Sequence, residues 1–279
     1  MRVLTTIAGA RAFRGGAWGT VGLVPTMGAL HAGHLSLVAR ARSENDRVIA
    51  SIFVNPAQFG PGEDLAAYPR TPEDDFRLLE SLGVDAVWTP SPEEIYPSGF
   101  QTFVSVEEAS APLEGARRPG HFRGVATVVA KLFNVFEPDR AYFGQKDAQQ
   151  VAVIRRLVAD LSFPVEIVVC PIAREADGLA LSSRNVYLSP EERLAAPVLH
   201  RALLAAEAAF ASGERDAGRL RAVVSETLVL EPLARPDYVS VADPITLVEL
   251  DRVAGPALVS LAVRFGKTRL IDNVVLGGR

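Results

Sequence analysis

Val24-Pro25-Thr26-Met27-Gly28-Ala29-Leu30-His31-Ala32-Gly33-His34-Leu35 is the stretch on which the reading of this chain turns. A short apolar run ends at Pro25, a turn with Gly28 and Gly33 follows, and a helical pattern begins at His34. Such a strand, glycine turn and helix start is a place where a phosphate can sit. The first turn of a helix has backbone N–H groups without intrahelical partners, and it carries a partial positive charge. Two of the four histidines of the chain fall here, three residues apart. Imidazoles so placed can donate hydrogen bonds to phosphate oxygens. A capping or core role is the ordinary reading of a single histidine; two in a glycine-flanked loop after a strand favour function. A metal pair is the weaker alternative, because no third ligand stands at a convincing spacing.

Outward from this loop, strands and helices alternate. Residues 20–24 read as a strand ended by Pro25. Residues 34–43 read as a helix with Leu35, Val38, Ala39 and Ala41 on its apolar positions. Residues 47–54 read as a strand ended by Asn55-Pro56. Residues 71–82 read as a helix with Thr71 as N-cap, Pro72 at its first position and acids in its first turn. Strands follow at 85–89, 141–143 and 165–170, and helices at 125–136 and 147–161. This alternation predicts a parallel sheet covered on both faces, with ligands outside the carboxyl ends of its strands. The loops at 25–34, 55–59 and 144–147 all follow strands and are expected on one rim. Beyond Pro171 the character changes. Helices at 189–213 and 216–230 precede strands at 237–241, 257–263 and 268–275, which predicts a smaller unit. The expected fold class is α/β: a Rossmann-like parallel-sheet domain over residues 1–172, then a smaller C-terminal α+β domain over 173–279. Residues 99–120 fit no element except a short strand at 104–108.

Composition narrows the function classes. A chain of 279 residues, 48% hydrophobic and 22% charged, suits a folded soluble protein. A net charge of −4 gives no general reason to expect a nucleic acid or an anionic membrane as partner. Lys131, Lys146 and Lys267 are the only lysines, so a lysine inside a motif stands out. Cys170, the single cysteine, cannot form an internal disulfide and lies in an apolar run, which favours a core thiol over a nucleophile. Residues 1–9 lack the apolar centre of a secretory signal, and no uninterrupted apolar run reaches the ~20 residues of a membrane span. The expected location is cytoplasmic.

Three further loops carry polar groups suited to a small ligand. Asn55 and Gln58 are neutral and both donate and accept, which suits a hydroxylated substrate as well as plain turn chemistry. In Phe143-Gly144-Gln145-Lys146-Asp147, Gly144 lets backbone approach a ligand and Lys146 offers a point charge for phosphate. Asp147 is a candidate cap of the next helix, and Gln150 lies one turn into it. Leu181-Ser182-Ser183-Arg184-Asn185 sets hydroxyls, amides and a guanidinium in a row, fit for a polyphosphate or for a polar interdomain loop. Asp74 or Asp75 is a candidate to hold magnesium on a nucleotide, although acids at a helix start have an electrostatic reason of their own.

Together these segments resemble the pantothenate synthetase (pantoate–beta-alanine ligase) family, within the wider His-x-Gly-His nucleotidylyl transferases. The resemblance runs from Val24 to about Ser189. It rests on Pro-Thr-Met-Gly-Ala-Leu-His-Ala-Gly-His at 25–34, residues 53–59, Asp64-Leu65 with Tyr68-Pro69-Arg70-Thr71, Arg118-Pro119-Gly120-His121-Phe122, residues 143–150 and Ser182–Asn185. Ala57 and Leu181 depart from residues that are often larger or methionine in the family; neither change removes a donor.

The resemblance implies a two-step reaction. Pantoate carboxylate attacks the α-phosphorus of ATP, and the amine of beta-alanine then attacks the acyl carbon of the pantoyl adenylate. ATP is thus a co-substrate, accompanied by Mg2+, with Asp74 as a metal candidate. The implied catalytic groups are His34 in the proton-donor role, His31, Lys146 and Arg184. The implied ATP site is lined by Met27, Gly28, Ala29, Leu30, His31, Ala32, Gly33 and His34. Gly144, Gln145, Lys146, Asp147 and Ala173 frame the nucleotide, and Leu181, Ser182, Ser183 and Arg184 meet the phosphates. Gln58, Gln150 and Asn55 are implied for pantoate, and Gln58 also for beta-alanine. The smaller domain is expected to act as a lid, and a homodimer is expected from the family. Another adenylyl transferase of the same fold and a non-catalytic nucleotide-binding module stand as alternatives. The full set of His31, His34, Lys146 and Arg184 weighs against the module, and the lack of an anticodon-binding extension or basic surface weighs against a tRNA synthetase.

Overall fold

Two runs, Val21–Thr26 and Arg47–Ile52, are almost wholly buried and form the paired strands β2 and β3. Burial on both faces is why they read as continuous apolar runs and not as alternating ones. The computed structural model describes residues 1–16 and 18–278. It divides into two compact units: Met1–Gly144 with Gln149–Pro171, and Gln145–Ala148 with Ile172–Arg279.

The first unit is a six-stranded parallel sheet in the order β1-β4-β3-β2-β5-β6. Its other strands are β1 (Arg2–Leu4) and β6 (Glu166–Cys170) at the edges, and β4 (Ala86–Trp88) and β5 (Arg140–Gly144) inside them. The helices in chain order are α1 (Ile7–Gly15), α2 (Ala32–Glu44), α3 (Pro72–Ser81), α4 (Pro92–Ile95), α5 (Glu114–Arg117), α6 (His121–Phe136) and α7 (Ala148–Asp160), the last beginning in the second unit's segment. Val24, Val38, Ala41, Val48, Ala50 and Leu79 are central to one layer of core. Winding reverses between β2 and β5, the topological switch point at which such sheets bind ligands. These two strands pair only at Gly22–Arg140 and Leu23–Ala141.

Several boundaries differ from the sequence expectation. β2 runs through Pro25 to Thr26. The Thr26 carbonyl accepts from Phe53 N–H on the β3 side, so strand alternation turns the Pro25 backbone toward β5, past the end of their pairing. No ladder bond is lost there, which is the condition for proline in a sheet. On α2 the buried residues are Leu37, Val38 and Ala41, while Ala39 is exposed. Thr71 precedes α3 but makes no cap bond; its hydroxyl donates instead to Asp75 Oδ1 at 3.2 Å. Asp147 ends a 3₁₀ turn over Gln145–Asp147 and lies 3.5 Å from Lys146 Nζ. Residues 104–108 are not a strand, and Val104 N–H donates to the Thr127 hydroxyl on α6. β1 and α1 were not legible. Cys170 is buried, and burial raises its thiol pKa, as suits a core residue.

The second unit packs α8 (Pro190–Ala195), α9 (Val198–Ala211) and α10 (Ala217–Val229) with an antiparallel sheet β7-β8-β9. These strands are Arg235–Ala242, Ala257–Phe265 and Thr268–Leu276. The single helix expected over 189–213 is split at Pro197, which has no N–H for the preceding turn. By length and composition Pro190–Ala211 could cross a membrane. It is broken, however, and Leu199, Ala202, Leu203 and Ala206 are packed in this unit's own core.

Candidate active site

The loop after β2 is held in an unusual conformation. Gly28 has φ +81 and Ala29 φ +50, both left-handed. Glycine reaches this region at little cost, whereas a second consecutive residue there needs support. Asp75 of α3 supplies it. Its carboxylate is 1% exposed and accepts from Ala29 N–H at 3.0 Å and from Leu30 N–H at 2.8 Å. Asp74, the candidate for magnesium, is instead exposed and pairs with Arg77 at 2.5 Å.

The chain then enters α2 through a cap made of two imidazoles. His31 Nδ1 accepts from Gly33 N–H at 3.1 Å, and His34 Nδ1 accepts from His31 N–H at 3.4 Å. The ring centroids lie 4.1 Å apart. A backbone N–H can only donate, so both Nδ1 atoms are acceptors. In a neutral ring the proton then sits on Nε2. The capping role that the sequence allowed is present, and in a neutral ring it fixes the tautomer that carries its N–H on Nε2.

Asn55 and Gln58 form a second turn in the same unit, and both are buried. Asn55 Nδ2 donates to Gln58 Oε1 and to the Gly124 carbonyl, each at 3.1 Å. Tyr96 O–H donates to Asn55 Oδ1 at 2.8 Å, and burial pushes this phenol up to about 12. Gln58 Nε2 meets Met27 Sδ at 3.0 Å, which joins the two turns. Helix α6 lies close against this turn: a Cβ on Gly124 would stand 2.3 Å from the Ala57 carbonyl oxygen and 2.7 Å from Gln58 N.

The Gln58 carbonyl has its own support. His121 Nδ1 stands 2.8 Å from it, so Nδ1 carries the proton and Nε2 is left to accept from Arg118 at 3.2 Å. Burial, and then the Arg118 charge, push His121 down to about 4, so the ring is neutral. Arg118 also forms a two-pronged pair with Glu63 at 2.9 and 2.7 Å. Burial raises the Glu63 carboxyl, but the bonds and charge of Arg118 outweigh it and leave the pKa lowered. Sequence reasoning assigned no role to Tyr96 or Glu63, and noticed Arg118 and His121 only within a motif. Gln150 is half-buried on α7. Its neighbour Gln149 is buried and braces the 109–114 segment through Glu114 N–H and the carbonyls of Ala109 and Pro112.

The second unit holds the remaining candidates. Gly144 closes β5 as the last residue of the first unit's segment, and Gln145, Lys146 and Asp147 follow at once in the second as the 3₁₀ turn. Ala173 accepts from Leu181 N–H at 2.9 Å, which closes the base of the next loop. Ser182 caps a second 3₁₀ turn by accepting from Arg184 N–H at 3.2 Å, and Ser183 and Arg184 are half-buried within it.

The fold and these loops define the class: a Rossmann-like α/β protein whose sheet carries a histidine-capped helix at its switch point, followed by a small α+β unit. The family described as pantoate-beta-alanine ligase matches residues 2–275. A pantothenate synthetase of Herpetosiphon aurantiacus is 63% identical over 99% of this chain and 100% of its own length. The structure of pantothenate synthetase from Thermus thermophilus is similar at TM-score 0.94 and 54% identity, covering 98% of this chain and 99% of that one. Pantoate-beta-alanine ligase from Francisella tularensis, complexed with beta-gamma ATP and beta-alanine, is similar at TM-score 0.82 and 36% identity, covering 99% and 97%. The chain belongs to the pantoate–beta-alanine ligase family.

Proposed function

We propose that this protein condenses pantoate with beta-alanine, using ATP through a pantoyl adenylate. One observation carries the chemistry: the paired-imidazole cap, which sets two Nε2–H donors at a helix start on the switch point. In the first step a pantoate carboxylate oxygen bonds to the α-phosphorus and pyrophosphate leaves with the electrons of the broken P–O bond. Preorganised donors stabilise the charge that builds on the phosphoryl oxygens. His34 and His31 take that part, with Met27 to Gly33 lining the nucleotide. Lys146 and the Ser182–Arg184 turn neutralise the triphosphate and the departing pyrophosphate. In the second step the beta-alanine amine attacks the acyl carbon, AMP leaves, and the amine loses a proton. Gln58, held by Asn55 and Met27, orients pantoate and then beta-alanine, and Gln150 completes the pantoate contacts. The 173–279 unit serves in this reading to keep water from the adenylate.

Among the described residues, no group of three or more His, Cys, Asp or Glu side chains could hold a metal ion. Asp75 is committed to backbone N–H groups and Asp74 to Arg77. Magnesium therefore enters this reading as part of the ATP substrate. The test is pantoate-dependent exchange of labelled pyrophosphate into ATP. Exchange that requires pantoate and magnesium is the expected result; none with all three components present overturns the reading.

A further inference from the structure

Lys146 sits in a turn held by a residue far along the chain. Asn273 of β9 is 3% exposed, and its whole side-chain amide is engaged by this turn. Its Oδ1 accepts from Gln145 Nε2 at 2.9 Å, and its Nδ2 donates to the Gln145 carbonyl at 3.0 Å and the Lys146 carbonyl at 2.9 Å. Two carbonyls can only be met by the NH2 end, so the amide has one orientation.

Those carbonyls belong to the two peptide planes that flank the Lys146 α-carbon. Each plane is rigid, and only φ and ψ of Lys146 connect them. Fixing both planes fixes both angles, and with them the direction in which the side chain leaves the backbone. Asn273 is itself anchored. Its N–H donates to Asp272 Oδ1 at 2.8 Å, and Asp272, 2% exposed, takes a two-pronged pair from Arg174 at 2.6 and 3.0 Å. Arg174 follows Ala173 directly, so the same middle stretch of β9 braces the start of the loop that leads to Ser182.

We propose that Asn273 is the positioning residue of Lys146, aiming its ammonium at the ATP phosphates; this rests on the phosphate role given to Lys146 above. The turn is numbered among the residues of the first unit, but its conformation is set by the last strand of the second.

The test is a double-mutant cycle on the full chain, read as kcat/KM for ATP in pantoate-dependent pyrophosphate exchange, with thermal midpoints measured alongside. Lys146→Ala is expected to lose about a hundredfold, and Asn273→Ala about tenfold, as misplaced charge rather than missing charge. The double variant is expected to match Lys146→Ala, because aim has no value once the ammonium is gone. A folded Asn273→Ala with wild-type exchange overturns the proposal. So does a double variant that loses the product of the two single losses, the result of a merely structural role. If Asn273→Ala does not fold, the near-isosteric Asn273→Asp, which sets a carboxylate oxygen against both carbonyls, replaces it in the same cycle with the same two readings. Wild-type exchange by Lys146→Ala instead overturns the lysine's own role, a failure visible without any Asn273 variant.

Discussion

The turns that carry the histidines and the lysine follow adjacent strands, β2 and β5, yet they are fixed in opposite ways. In the first, the backbone offers N–H groups and a carboxylate, Asp75, accepts them. In the second, the backbone offers carbonyls and an amide, Asn273, donates to them. The first region also locks its candidate side chains directly: the imidazoles cap the helix, and Gln58 is bonded to Asn55 and Met27. The lysine is held through its peptide planes, and its ammonium lies 3.5 Å from the Asp147 carboxylate. On the roles proposed above, groups whose hydrogen-bond polarity matters are tied by their side chains, whereas the point charge is held by its base and a neighbouring carboxylate.

Four measurements would break or sharpen this contrast. The largest effect is expected from His34→Ala, which removes a donor and half a cap. Exchange should fall about a hundredfold or more, with stability down by only about 1 kcal/mol; unchanged turnover would take the histidine out of the mechanism. Next is Gly124→Ala. Its new methyl would collide with Ala57 and Gln58, at about 1–3 kcal/mol in stability, and should raise the KM for pantoate about tenfold. A wild-type KM would mean that the Asn55–Gln58 turn is not rigid. Smaller still is Asp75→Asn, which sets a buried NH2 against one of two part-buried N–H groups. A loss of about 1–3 kcal/mol and a several-fold slower exchange are expected, measured by urea titration beside the assay; equal stability would show that the left-handed turn holds itself.

The smallest effect on activity concerns His121, whose contribution to stability is lost only in acid. Its folded pKa of about 4 lies below the ordinary 6.5. Between these values the unfolded chain binds more protons, so stability falls as pH falls. The contribution is whole above pH 6.5 and lost as pH drops through about 4, amounting to at most about 3 kcal/mol. The slope of thermal midpoint against pH in that window should flatten in His121→Asn; an unchanged slope would place the titration elsewhere.

What the sequence made legible follows from the range of the interactions involved. β2, β3 and β5 show as apolar runs because the sheet is buried on both faces, and the histidine turn shows because glycines, strand end and helix start are contiguous. Local pattern cannot choose between neighbours of one type. Asp74 and Asp75 look alike until α3 turns one to solvent and one to the Ala29–Leu30 amides, and Gln149 and Gln150 part in the same way. Asn273 was hidden for another reason. It reads as one of several polar residues in a mostly apolar strand, and its partners lie 128 and 127 residues away. Pro197 interrupts an alanine- and leucine-rich run whose pattern continues on both sides of it, so the run reads as one helix although the proline splits it.

The segment Gln145–Ala148, packed with the second unit but encoded inside the first, constrains how this enzyme can be rebuilt. A chimaera joined between residues 171 and 172 would pair one parent's lysine turn with another parent's final strand. A graft of the second unit would therefore need residues 145–148 from the same donor, so the modules that can be exchanged by recombination are discontinuous in the gene.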